Sequence, residues 1–179
     1  MARVAYAEES DNPDLARRIR EQRGGKMLNL YRMLMNSPPV AEGWLHLLTA
    51  IRQQCLVPAL YTELAIMRVA VINDAPYEFA AHLPFARKEG MSEAQLEALR
   101  TLPALGQPPA GMFDDRAAAV IAYADSMTRE IHVPDAVFEA TARFFDPRQM
   151  VELTATVGAY NMVSRFLEAL HMDPEAPGQ

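Results

Sequence analysis

The chain has 179 residues, half of them hydrophobic and 22% charged, with a formal net charge of -6. That length and composition suit one globular, soluble domain and exclude a disordered chain. The acidic balance, with no Lys/Arg cluster against it, excludes a nucleic-acid footprint.

Residues 1–12 read as a loose arm. The amino terminus lacks the apolar core of a signal peptide and is too acidic for a transit peptide. From about Pro13 the pattern becomes helical and stops at Gly24-Gly25. Met27, Leu30, Tyr31 and Leu34 then recur at helical spacing and give one apolar face. Ser37 is placed to cap a helix with Pro38 at its first position and Trp44, Leu47, Leu48 and Ile51 on its inner stripe. His46 falls off that stripe and is expected to face solvent, or to line a pocket built from another element.

Pro58 opens the next helix, ALYTELAIMRVAVI, and Asn73-Asp74 breaks it. Asp74 is expected to cap the following helix, which carries Pro76 in its first turn. A second proline, Pro84, predicts a bend just past His82. Ser92 with Gln95 reads as a capping box. Residues 101–113, rich in Pro and Gly, read as the one long loop. Asp114, Pro134 and Asp146-Pro147 each open a further helix, and the last eight residues read as a frayed tail. No segment sustains strand alternation. The expectation is an all-α bundle of about seven to nine helices, with a single domain over 13–172 and the tail at 173–179. The best apolar run falls short of the ~18–20 residues of a membrane span, because Glu63 and Arg68 interrupt it.

Chemistry concentrates in residues 60–82, LYTELAIMRVAVINDAPYEFAAH, where two carboxylates and an imidazole sit among Leu, Ile, Val, Ala and Phe. Buried ionisable groups need partners or a purpose. Glu78 and His82, four apart on a helix, share one face. Glu63 lies on the preceding helix, which must pack back against theirs after so short a break. An acid, a base and an orienting group in an apolar pocket suit proton transfer on a small molecule. Tyr77 and Arg68 are placed to bind a carboxylate or enolate oxygen, Arg68 in a bidentate fork. Spacing alone leaves two other readings open: a structural Glu–His pair with a Glu63–Arg68 pair beside it, and a metal site. Against a metal, the di-iron carboxylate pattern uses Glu-x-x-His twice, whereas here the spacing is four and occurs once. No metal is expected.

The run ELAIMRVAVINDAPYEFAAHLPFARKEGMS, with AAAVIAYADSMT, VPDAVFEATARFF and VELTATVGAYNMVSRF, resembles the carboxymuconolactone decarboxylase family, which includes the alkylhydroperoxidase D-like proteins. The resemblance covers residues 27–171. It implies an alkylhydroperoxidase D-like helical fold, assembly as a homotrimer or homohexamer, and a small carboxylated substrate. In the family's peroxidases a Cys-x-x-Cys pair precedes the histidine; here those positions are Ala75 and Glu78, so the dithiol mechanism is absent. The decarboxylase members carry a glutamate four before the histidine, as Glu78 and His82 do. By that resemblance His82 moves the proton, Glu78 orients it and Glu63 is a second acid/base. The function so implied is a cofactor-free decarboxylase or isomerase acting on a lactone or enol-type compound. The alternatives are a non-catalytic ligand-binding member, and a peroxidase-like protein working through the single cysteine, Cys55. With that one cysteine excluding an internal disulfide, the expected compartment is the cytoplasm.

Overall fold

A computed structural model describes residues 1–175, and among them every regular element is helical. A 3₁₀ turn (Glu9–Asp11) leads to α1 (Pro13–Gln22), α2 (Asn29–Leu34), α3 (Pro38–Gln53), α4 (Ala59–Ile72) and α5 (Pro76–Lys88). They are followed by α6 (Glu93–Thr101), α7 (Asp115–Arg129), α8 (Asp135–Ala142) and α9 (Pro147–Leu170). The chain divides into two compact units, Met1–Gln54 with Phe166–Gln179, and Cys55–Arg165. The sequence had suggested one domain across residues 13–172.

In the first unit the periodic apolar positions of α1 and α3 form the core, with Leu15 and Ile19 meeting the layer of Trp44, Leu45, Leu48 and Ile51. Asn12 caps α1 by accepting from the Leu15 amide at 3.2 Å. Trp44 packs against Phe166 in a tilted arrangement with centroids 5.1 Å apart. The first residues, expected as a loose arm, are pinned at both edges. The Arg3 amide donates to the Leu170 carbonyl and the Ala7 amide to that of Arg32. Asp173 accepts from the Ala2 amide at 3.1 Å and donates its own amide to the Tyr6 hydroxyl at 3.0 Å. Residues 173–175 are thus held, while the rest of the expected frayed tail, 176–179, lies outside the described residues.

The second unit is built around α4. From Thr62 to Ala70 every residue of α4 is buried, so this helix is buried all round and packs against α5, α6 and α7. Each large aliphatic side chain so buried contributes about 1.5–3 kcal/mol. α7 carries the matching stripe Val120, Ile121 and Ala124, and α9 adds Met150, Leu153, Val157, Tyr160 and Val163 at helical spacing. Ser92 and Gln95 form the expected capping box of α6. Asp74 corrects the sequence reading, whereas Ser37 stands where it was expected. Ser37 occupies the cap position of α3 without a side-chain cap bond. Asp74 adopts φ 51°, and Ala75 takes the cap position of α5 instead. The left-handed turn at Asp74 lets the Ala75 amide reach back to the Ala70 carbonyl at 2.9 Å, which folds α5 sharply onto α4. α5 runs unbroken through Pro84, whose position is exposed.

Candidate functional site

Glu63 lies ten residues before Asn73 and His82 nine after it, so a tight antiparallel return sets them level on facing helices. His82 Nδ1 and Glu63 Oε2 are 2.7 Å apart. On the other side of the ring, His82 Nε2 is 3.8 Å from Glu78 Oε1, one helical turn away. That distance is an electrostatic approach rather than a hydrogen bond. The short bond therefore runs to Glu63 across the helix pair, where the sequence reading had given Glu78 the orienting role. All three side chains are buried: Glu63 is 8% exposed, Glu78 3% and His82 5%. Tyr160 from α9 meets the imidazole edge-on at 5.1 Å, and Phe85 lies at 5.9 Å.

Arg68 belongs to a different cluster. Its Nε and Nη2 grip Asp125 of α7 at 2.5 and 2.7 Å. Nη1 donates to the carbonyls of Leu99 and Leu102, and Nη2 to that of Pro103. All five guanidinium N–H groups are thereby accounted for, with the side chain fully buried. Arg68 has no donor left for a substrate oxygen, so its expected substrate-binding role is corrected to a structural one. Nor does it pair with Glu63. Tyr77 is half-buried on α5 within the same unit as His82. His46 is exposed on α3, in the other unit, so its expected place in the pocket is an open proposal.

Two residues escaped the sequence reading. Asp125 sits in the Ala/Val/Ile/Tyr run of α7, and the rule that flagged Glu63, a carboxylate amid apolar neighbours, applied equally to it. It also accepts from the Leu105 amide at 2.6 Å, tying down the loop after α6. Tyr160 gave no local signal, because its contact with His82 joins elements far apart in sequence.

Cys55 is partly buried. Burial pushes its thiol up, and the neighbouring Glu152 carboxylate adds to that, with Arg148 opposing. This is the reverse of what makes a thiolate nucleophile. Among the described residues no group of three His, Cys, Asp or Glu side chains is placed to hold a metal ion. No described helix is long and apolar enough to cross a membrane.

Several solved structures share this fold. One is the debrominase Bmp8, with TM-score 0.79 and 17% identity over 97% of this chain and 92% of that one. A peroxidase-related protein from Silicibacter sp. TM1040 gives 0.77 and 19% over 95% and 88%. ATU0492 from Agrobacterium tumefaciens, a protein of unknown function and a candidate AhpD antioxidant-defence protein, gives 0.71 and 19% over 80% and 95%. At such identities the likeness establishes the fold alone. No curated protein matches the chain in sequence. Residues 38–126, which span α3 to most of α7 and include Glu63, Glu78 and His82, match the family model of the carboxymuconolactone decarboxylases. With that match and the shared helical fold, the chain belongs to the carboxymuconolactone decarboxylase family, in a branch without the Cys-x-x-Cys pair.

Proposed function

We propose that the protein is a cofactor-free lyase or isomerase that moves a proton on a small carboxylated lactone or enol-type compound through His82. The observation that carries this reading is an imidazole held between two buried carboxylates, bonded to Glu63 at one nitrogen and approached by Glu78 at the other. With Nδ1–H donating to Glu63, the tautomer is set and Nε2 becomes the proton-transfer atom. In a decarboxylation the C–CO2 bond breaks and its electron pair passes into the conjugated lactone. His82 then delivers a proton to the other end of the resulting allylic system, the carbon next to the lactone carbonyl, which shifts the double bond, and is reloaded from solvent. Glu78, beside Nε2, steadies the imidazolium or relays the proton. Tyr77, on the same helix, is the remaining candidate for binding a substrate oxygen.

The reading includes self-association as a trimer or hexamer. Exposed apolar side chains support it: Val40 and Leu47 on α3, Val151 and Met162 on α9. A second reading, ligand binding without turnover, draws support from the near-complete burial of the three side chains. It expects small carboxylates to raise the melting temperature and no product to form.

The test is carbon dioxide release from carboxymuconolactone and related enol-lactone acids, with wild type and His82→Ala side by side. Release by wild type that His82→Ala abolishes is the expected result. Release undiminished in the variant overturns the site, and no release by wild type overturns decarboxylation.

A further inference from the structure

We propose that Asn161 of α9 is a positioning residue, which locks the turn between α4 and α5 and so sets the His82 imidazole at bonding distance from Glu63. The partners of that 2.7 Å bond stand on facing helices whose chain connection is Asn73, Asp74 and Ala75. His82 lies about 10 Å along α5 from Ala75, at a rise of ~1.5 Å per residue. A tilt of α5 about the turn by roughly 6° therefore displaces the imidazole by about 1 Å, enough to carry a 2.7 Å contact beyond hydrogen-bonding range. The pivot is itself a special conformation. Asp74 sits there at φ 51°, a left-handed backbone that persists where its surroundings hold it.

Asn161 supplies that hold. Its Oδ1 accepts from Asn73 Nδ2 at 3.0 Å. Its Nδ2 donates to the Thr128 hydroxyl of α7 at 3.0 Å and to the Val157 carbonyl of its own helix at 3.0 Å. Arg165 Nη1 donates to the same Oδ1 at 2.7 Å. A guanidinium only donates, so Arg165 fixes which way round the Asn161 amide stands. Both amide protons and both oxygen lone pairs are then in use, and one side chain joins the turn to α7 and α9. The last carbonyl of α4, that of Ile72, accepts separately from Arg129 of α7 at 2.9 Å. With the end of α4 anchored in this way, the freedom that Asn161 removes is that of the turn and of α5 beyond it. Tyr160, the residue before Asn161, meets the imidazole at 5.1 Å, so consecutive residues of α9 touch the base and hold the turn that places it.

The lock rests on the proton-transfer reading only for its purpose, and its test needs no substrate. A proton held between His82 Nδ1 and Glu63 gives a far-downfield resonance, assigned in ¹⁵N-histidine-labelled protein by its loss in His82→Gln. The wild type should show it. Asn161→Leu and Asn73→Ala should each shift it upfield and speed its exchange with solvent about tenfold, through easier local opening. The double variant should do no more than either alone, because both cut one link. Thr128→Val, which removes the tie to α7, should act in the same direction, and Thr128→Ser, which keeps the hydroxyl, should restore the wild-type resonance. Asn161→Asp keeps the acceptor for Asn73 and Arg165 and should stay closer to wild type than Asn161→Leu. Asn73→Ala serves if Asn161→Leu does not fold. If Asn161 only stabilises the fold, these variants lower the melting temperature but leave the resonance unmoved well below it, and the proposal is overturned. It is equally overturned if the wild type lacks the resonance. The same holds if Leu153→Ala, a variant in the buried core of the same helix, shifts it as far, because the loosening is then general. A protein that releases no carbon dioxide but shows the expected shifts keeps the lock and loses the chemistry; turnover with an unmoved resonance does the reverse.

Discussion

Two buried polar clusters hang from the same helix, α4, five residues apart, and they are built to opposite ends. Around Arg68 one cation meets one carboxylate, and each of five donors finds an oxygen at hydrogen-bonding distance. Charge balances and geometry is saturated, which is how a buried ion pair becomes tolerable. Around His82 two carboxylates flank one imidazole, so a single proton shared among the three still leaves one unit of negative charge. A saturated cluster holds a fold together; one with a proton to share is equipped for chemistry.

The sharpest way to break that comparison is to remove Arg68. Arg68→Met leaves Asp125 ionised and buried, and the loop carbonyls of Leu99, Leu102 and Pro103 lose their donor. Urea denaturation should show a loss of about 3–5 kcal/mol. The double variant Arg68→Met, Asp125→Leu should recover part of it, since no lone charge remains. If Arg68→Met instead melts like wild type, the saturated cluster is not what secures α4 to α7.

Glu63→Gln probes the other cluster by keeping its shape and removing its charge. If Glu63 serves chemistry by fixing the His82 tautomer, activity on the identified substrate should drop about 10–100-fold, as for other groups that orient a reacting imidazole. Stability should change by no more than ~1.5 kcal/mol, the net worth of one hydrogen bond. A large stability loss with activity retained would place Glu63 alongside Arg68 as scaffolding and erase the distinction.

That distinction was only half legible in the sequence. The all-helical fold and the Glu63–Glu78–His82 grouping followed from local rules: apolar periodicity, a break at Asn73-Asp74, and near-equal distances on either side of it. Arg68 was misread because its partner Asp125 lies 57 positions on, and nothing local ties the two together. Asp74 was misread as a cap because side-chain type suggests a capping bond, while the turn needed a left-handed residue there. The pinning of residues 2–6 depends on Asp173 and Leu170, at the far end of the chain, which no window of neighbouring residues contains.

Glu152 supplies the smallest and most graded test, because it is a saturated carboxylate next to the lone thiol. Burial pushes its carboxyl up, but hydrogen bonds from Arg148 and from the Leu56 and Val57 amides outweigh that and hold it below its ordinary value of 4.5. Being depressed in the folded state, it contributes stability that is complete above that ordinary value and is lost as pH falls through the lower folded one. The segment it holds, 55–57, is the entry to α4. Amide hydrogen exchange, corrected for its intrinsic pH dependence, should therefore show the Leu56 and Val57 amides losing protection as the solution is acidified below pH 4.5, before the interior amides of α4 do. Glu152→Gln should abolish that acid limb. It should also speed alkylation of Cys55 by iodoacetamide at mildly alkaline pH, because the carboxylate that helps push the thiol up is gone. An acid limb that persists in Glu152→Gln would mean that another group anchors the entry to α4. The contrast between saturated and proton-sharing carboxylates would then not extend beyond the two clusters on α4 itself.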